Sequence, residues 1–135
     1  MITAVDTSVL LDVLGADPDY GDASRAALRE CLRDGALVAC DVVWAETAAF
    51  FPDARRAATA LDRLGVRFSA LDEEASLAAA RAWRAYRRRG GRRARVIGDF
   101  LVGGHASIHA DQLLTRDRGF SRTHFRGLRL LDPSR

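Results

Sequence analysis

Apolar residues along this chain fall into two rhythms. Short apolar, β-prone runs stand at 2–5 (ITAV), 36–40 (ALVAC), 66–69 (VRFS), 112–115 (QLLT) and 128–131 (LRLL). Each reads as a strand, and the all-apolar ALVAC has the look of one buried on both faces of a sheet. Between them the spacing changes to the three-and-four period of helices. It predicts a short helix over 8–14 and, after a loop in GADPDYGDAS, a second over 23–32 stopped near Asp34 and Gly35. A third helix starts with Asp41 as its N-cap and runs through 51, and a fourth restarts at Pro52 and Asp53 and ends near Gly65. The longest helix is capped by Asp72 and carries Ala75, Ala78, Ala79, Ala82, Trp83 and Tyr86 along its core stripe. Residues 87–95 read as a basic, glycine-containing loop. A helix over 98–110 follows, in which Gly103 and Gly104 lower propensity but permit close packing.

The order β-α-α-β-α-α-β-α-α-β-x-β predicts an α/β fold, a mostly parallel five-stranded sheet covered by helices on both faces. With no repeat or linker in 135 residues, one domain over 1–135 is expected. At 48% hydrophobic residues the chain can bury a core without disulfides. Cys31 and Cys40 have no metal or redox spacing and read as buried thiols of a protein in a reducing, cytoplasmic compartment. No signal peptide or membrane span is expected. The net charge is only +3, but all 21 basic residues are arginine. The absence of lysine excludes Walker-type phosphate binding and Schiff-base chemistry.

Four acidic residues change the picture, because in open α/β sheets ligands sit beyond the carboxyl ends of the strands. Asp6 follows the first strand, where Thr7 and Ser8 could cap the next helix equally well. Glu46 lies in an apolar stripe with Val42, Ala49 and Phe50, a costly place for an unpaired carboxylate. Asp99 shares a helical face with Val102, Gly103 and Ala106, and Asp117 follows the fourth strand. Each has a plainer reading as a cap, a turn former or a solvated edge residue. Together they would repel one another unless a cation joined them. Oxygen-only ligands point to Mg²⁺ or Mn²⁺, which commonly act on phosphates.

The stretches VDTSVLLDVL, DVVWAE, GDFLVGGHA and LLTRDRGF…FRGLRLLDP together resemble PIN-domain ribonucleases, specifically toxins of the VapC type from bacterial toxin–antitoxin pairs. The resemblance runs from Met1 to about Pro133 and implies a Rossmann-like, three-layer PIN fold. It matches Asp6, Glu46, Asp99 and Asp117 to an acidic quartet holding one or two Mg²⁺ or Mn²⁺ ions. It matches Ser8 and Thr115 to supporting polar positions beside the first and fourth acids. The implied activity is endonucleolytic cleavage of structured RNA, tRNA or ribosomal RNA. The implied partners are a second copy of the chain and a small VapB-like antitoxin. Asp6 and Asp99 are expected as direct ligands, with Glu46 and Asp117 completing the site directly or through water.

The arginines suit an RNA partner. Arg81, Arg84 and Arg88 share a helical face without acids four residues before them, and Arg92, Arg93 and Arg95 follow in the loop. His105 and His109 are spaced as a zinc pair would be but lack a third ligand, so packing or hydrogen bonding is expected of them. Two rival readings stand beside the nuclease. A dehalogenase-type phosphatase would want an Asp where Ser8 stands. A PIN-like module that binds RNA or protein without catalysis would not need the quartet.

Overall fold

The computed structural model describes residues 1–91 and 97–135. Its elements run β1 (Ile2–Val5), α1 (Thr7–Leu14), α2 (Gly21–Arg33), β2 (Ala36–Ala39), α3 (Asp41–Ala49), α4 (Ala54–Arg63), β3 (Val66–Phe68), α5 (Glu73–Arg88), α6 (Ile97–His109), β4 (Gln112–Leu114), α7 (Arg118–His124) and β5 (Arg129–Leu131). The strands form one sheet in the order β3-β2-β1-β4-β5, and every pairing is parallel. Central β1 is buried from Thr3 to Val5, while edge strands β3 and β5 leave most residues at least partly exposed. This is the expected gradient for continuous apolar strands at the middle of a parallel sheet.

The strand order fixes where a ligand can sit. From β1 the chain steps outward through β2 to β3, then returns across the sheet to β4 and β5 on the other side of β1. Right-handed crossovers put α1 to α4 on one face and α5 to α7 on the other. The switch point therefore lies between β1 and β4, and the crevice opens beyond their carboxyl ends.

Two apolar clusters hold the layers. The larger joins Val5, Val9, Leu10, Leu37 and Leu114, all nearly fully buried. The smaller is aromatic and centres on buried Phe100 of α6. Trp83 and Tyr86 of α5 lie 5.0 and 5.3 Å from its ring centroid, and Phe120 of α7 lies 5.0 Å away. Edge-on ring pairs of this kind add to the area they bury. The close approach of α5 and α6 depends on Gly104, where a Cβ would stand 2.6 Å from the Ala75 carbonyl oxygen. Cys31 and Cys40 are buried free thiols, and burial pushes both upward in pKa. No helix among the described residues is long and apolar enough to cross a membrane.

Several boundaries differ from the sequence expectation, each for a local reason. Helix α2 begins at Gly21, inside the expected loop, because Asp17 accepts the N–H groups of Asp19 and Tyr20 and turns the chain early. Asp41 is not the cap of α3. Cys40 takes that position, and the Asp41 carboxylate accepts the Leu71 N–H at 2.6 Å, tying α3 to the segment after β3. Helix α3 stops at Ala49 rather than 51. Arg87 and Arg88 extend α5 instead of opening a loop. The unassigned segment between the last two strands is α7, capped by Asp117.

Candidate functional site

Asp6 is the N-cap of α1, so capping and a place at the sheet edge are one arrangement rather than alternatives. Its Oδ1 accepts the Thr7 N–H at 2.8 Å. Its Oδ2 accepts the Thr115 hydroxyl, also at 2.8 Å. The backbone N–H of Asp6 bonds the Leu114 carbonyl, which brings β1 and β4 together at the switch point. Thr115 is fully buried and its Oγ1 also accepts the Asp117 N–H at 3.0 Å. One hydroxyl therefore ties the first acid to the backbone of the fourth.

Glu46 is exposed at the edge of its stripe, which answers the cost of placing it there. Its Oε1 accepts the Thr7 hydroxyl at 2.7 Å, so α3 leans on the first turn of α1. The sequence offers Thr7 only as a cap, and its bridging role becomes visible once α1 and α3 are adjacent. Asp99 stands beside Phe100, whose ring is locked in the aromatic cluster, so the carboxylate is delivered to the edge by its neighbour's packing. Asp6, Asp99 and Asp117 line one small cleft with Val102, Gly103 and Phe120. Burial pushes the Asp6 carboxyl above its ordinary value of 3.8, and the charges of Asp99 and Glu46 push the same way. The bonds from Thr115 and Thr7 oppose them. All four expected acids thus meet at one edge. Ser8 is half-buried in α1 and has no side-chain hydrogen bond among the described residues. Thr7 and Thr115 do the bridging instead.

A model of the PIN domain matches residues 3–126 of the chain. The chain belongs to the PIN-domain family. Solved structures of similar shape include the VapBC2 complex of Rickettsia felis bound to promoter DNA, with a TM-score of 0.76 at 17% identity over 98% of both chains. VapBC-1 of nontypeable Haemophilus influenzae gives 0.73 at 19% identity over 100% of both chains. VapC20 of Mycobacterium tuberculosis, a toxin that cleaves the sarcin–ricin loop, gives 0.63 at 18% identity, covering 94% of this chain and 98% of that one. At such identities the likeness establishes the fold. No curated protein matches the chain in sequence.

In this PIN domain no three His, Cys, Asp or Glu side chains among the described residues stand close enough to enclose an ion as they lie. The donor set nonetheless fits a hard divalent cation. It is all oxygen, and the burial and repulsion that raise Asp6 are costs a cation would remove. The histidines are engaged elsewhere. His105 is buried, with Nε2 2.8 Å from Ser69 Oγ, and His109 Nε2 lies 2.7 Å from Asp72 Oδ2. Of the expected RNA-contacting residues, Arg81, Arg84 and Arg88 line a shallow groove on α5 together with Arg89. Arg89 Nη2 lies 3.4 Å from His124 Nδ1, and the His124 ring packs 4.8 Å from Phe120, which lines the acidic cleft. The C-terminal end of α5 is thus linked to the wall of the cleft through His124 and Phe120. Arg92, Arg93 and Arg95 lie outside the described residues. Trp83 packs in the aromatic cluster, as its place on the core stripe predicts, and Trp44 packs edge-on to Phe68 at 5.6 Å.

Proposed function

We propose that this PIN domain is a divalent-metal-dependent endoribonuclease acting as the toxin of a toxin–antitoxin pair. The observation that carries the reading is the meeting of Asp6, Glu46, Asp99 and Asp117 at the switch point of the sheet. A raised Asp6 pKa and two bridging threonines lend it support. Asp6 and Asp99 would hold a Mg²⁺ or Mn²⁺ ion, and Glu46 and Asp117 would complete its sphere directly or through water. When bound, such an ion supplies a water of lowered pKa and neutralises charge on the phosphate being displaced.

The chain's own residues do the rest. Thr115 holds one oxygen of Asp6 so that the carboxylate presents a fixed edge, and Thr7 holds Glu46 within reach of the same space. Glu46 is exposed and so is open to solvent as a proton acceptor. The arginines of α5 draw the phosphate backbone across the cleft through sequence-independent attraction. A small VapB-like antitoxin is the proposed partner, supported by the VapBC complexes among the similar structures.

The test is to induce the protein in cells and map new RNA 5′ ends beside an Asp6→Asn control. Discrete new ends in tRNA or ribosomal RNA, absent with the control, are expected. Identical end profiles for the two proteins would defeat the reading.

A further inference from the structure

Asp12, the carboxylate within α1, belongs to none of the machinery above. It is only 3% exposed, so its charge must be answered inside the protein. The answer comes from Arg116, which lies between the two residues of the β4–α7 turn that serve the acidic cleft. Arg116 Nε donates to Asp12 Oδ2 at 2.9 Å and Nη2 to Oδ1 at 3.0 Å, a two-pronged pairing. Ser24 of α2 donates to the same Oδ2 at 2.8 Å. The guanidinium carbon lies 4.1 Å from the centroid of the Tyr20 ring, so the group is stacked as well as paired.

Three successive residues thus have three separate anchors. Thr115 bonds Asp6, Arg116 bonds Asp12, and Asp117 caps α7 while lining the cleft. Arg116 is joined by peptide bonds to both neighbours and the turn is only three residues long, so tying its head group to α1 limits how far Thr115 and Asp117 can shift. We infer that the Asp12–Arg116 pair is the positioning device of the acidic edge. It sets the placement of Thr115 and Asp117 against Asp6 without touching substrate, because the Arg116 head is spent on Asp12 and Tyr20. This rests on the proposal that the edge holds a divalent cation, since only then does the placement have a ligand to serve.

The experiment measures Mn²⁺ binding to the whole protein by calorimetry, thermal unfolding without metal, and kcat and KM on RNA, for Arg116→Met, Arg116→Lys and Asp12→Asn. Leu61→Ala, which opens a cavity under α4, a helix that carries none of the cleft residues, serves as a destabilised control. Loss of groups that orient metal ligands typically weakens metal affinity or activity about 10–100-fold. The expectation is a rise of that size in the Mn²⁺ dissociation constant for Arg116→Met and Asp12→Asn. Arg116→Lys recovers part of the loss, KM for RNA stays unchanged, and Leu61→Ala binds Mn²⁺ like the parent. If Arg116→Met fails to fold, Arg116→Lys and Asp12→Asn carry the comparison. Folded Arg116 variants that bind Mn²⁺ as tightly as the parent would overturn the inference. So would a rise in KM alone, which would make Arg116 an RNA contact. A parent protein that binds no Mn²⁺ would instead defeat the proposed function.

Discussion

Thr115→Val removes one oxygen while keeping side-chain shape, at a residue with no exposure. Two interactions go with it. The hydroxyl no longer donates to the Asp6 carboxylate, a hydrogen bond to a charged group contributing about 1.5–3 kcal/mol. The Asp117 N–H also loses its acceptor, which costs up to about 1–3 kcal/mol where water cannot replace it. Asp117 is half-buried, so water answers part of that loss, and the sum is about 2–4 kcal/mol. For a chain of 135 residues this corresponds to a fall in Tm of about 7–14 °C. The bond from Thr115 also holds the Asp6 pKa down, so the Val variant pushes that carboxyl further up and weakens cation binding. Thermal unfolding and Mn²⁺ calorimetry on the two proteins measure both effects. Thr123→Val is the matched control. Its hydroxyl donates to the Gly119 carbonyl on an exposed turn of α7, and its effect should stay within about 0.5 kcal/mol. If Thr115→Val matched the parent in both Tm and Mn²⁺ affinity, the bridging role assigned to the hydroxyl would be wrong.

Asp6→Asn should raise the Tm of the metal-free protein at neutral pH, because it removes a carboxylate whose pKa is raised by burial and by Asp99 and Glu46. The folded state of the parent takes up this proton at a pH where the unfolded chain has released it. The destabilisation is therefore present above the folded pKa and fades as pH falls toward 3.8, and the advantage of Asp6→Asn should fade with it. Saturating Mg²⁺ should raise the Tm of the parent and leave the variant unmoved. His105 supplies the opposite limb. Burial pushes its imidazole below 6.5, so the unfolded state binds the proton first, and stability is lost as pH falls below 6.5. His105→Gln, scanned by chemical denaturation between pH 7.5 and about 5, should show a shallower loss, and an unchanged slope would count against a neutral buried imidazole. Gly104→Ala should destabilise by about 1–3 kcal/mol in urea unfolding despite its better helix propensity, because the new methyl meets the α5 backbone.

The parts of this fold that were legible in the sequence are those set by local pattern. The continuous apolar runs of β1 and β2 and the alanine stripe of α5 each identify an element without help from distant residues. The meeting of the four acids was legible too, because strand ends of a parallel sheet share one edge. Helix α7 was not, since its seven residues have no run of apolar spacing and depend on the Asp117 cap and the contact of Phe120 with Phe100. Asp12 carries no local signal, because the partner that explains a buried carboxylate there, Arg116, stands 104 residues away in sequence. The same holds for Thr7, which reaches Glu46 on a different helix. Ser8, the residue the resemblance pointed to, sits next to the one that makes the bond. Only the rotation of the first turn of α1 decides between them.

The proposed function requires that four carboxylates at one sheet edge jointly hold the cation on which RNA cleavage depends. It is tested most directly by titrating Mn²⁺ into the parent and into Asp6→Asn, Glu46→Gln, Asp99→Asn and Asp117→Asn while RNA cleavage is followed in the same samples. Saturable binding and chelator-sensitive cleavage are expected of the parent, with every amide variant folded and losing affinity and cleavage together. Cleavage that persists in EDTA, or an Asp6→Asn protein that binds Mn²⁺ as the parent does, would contradict it.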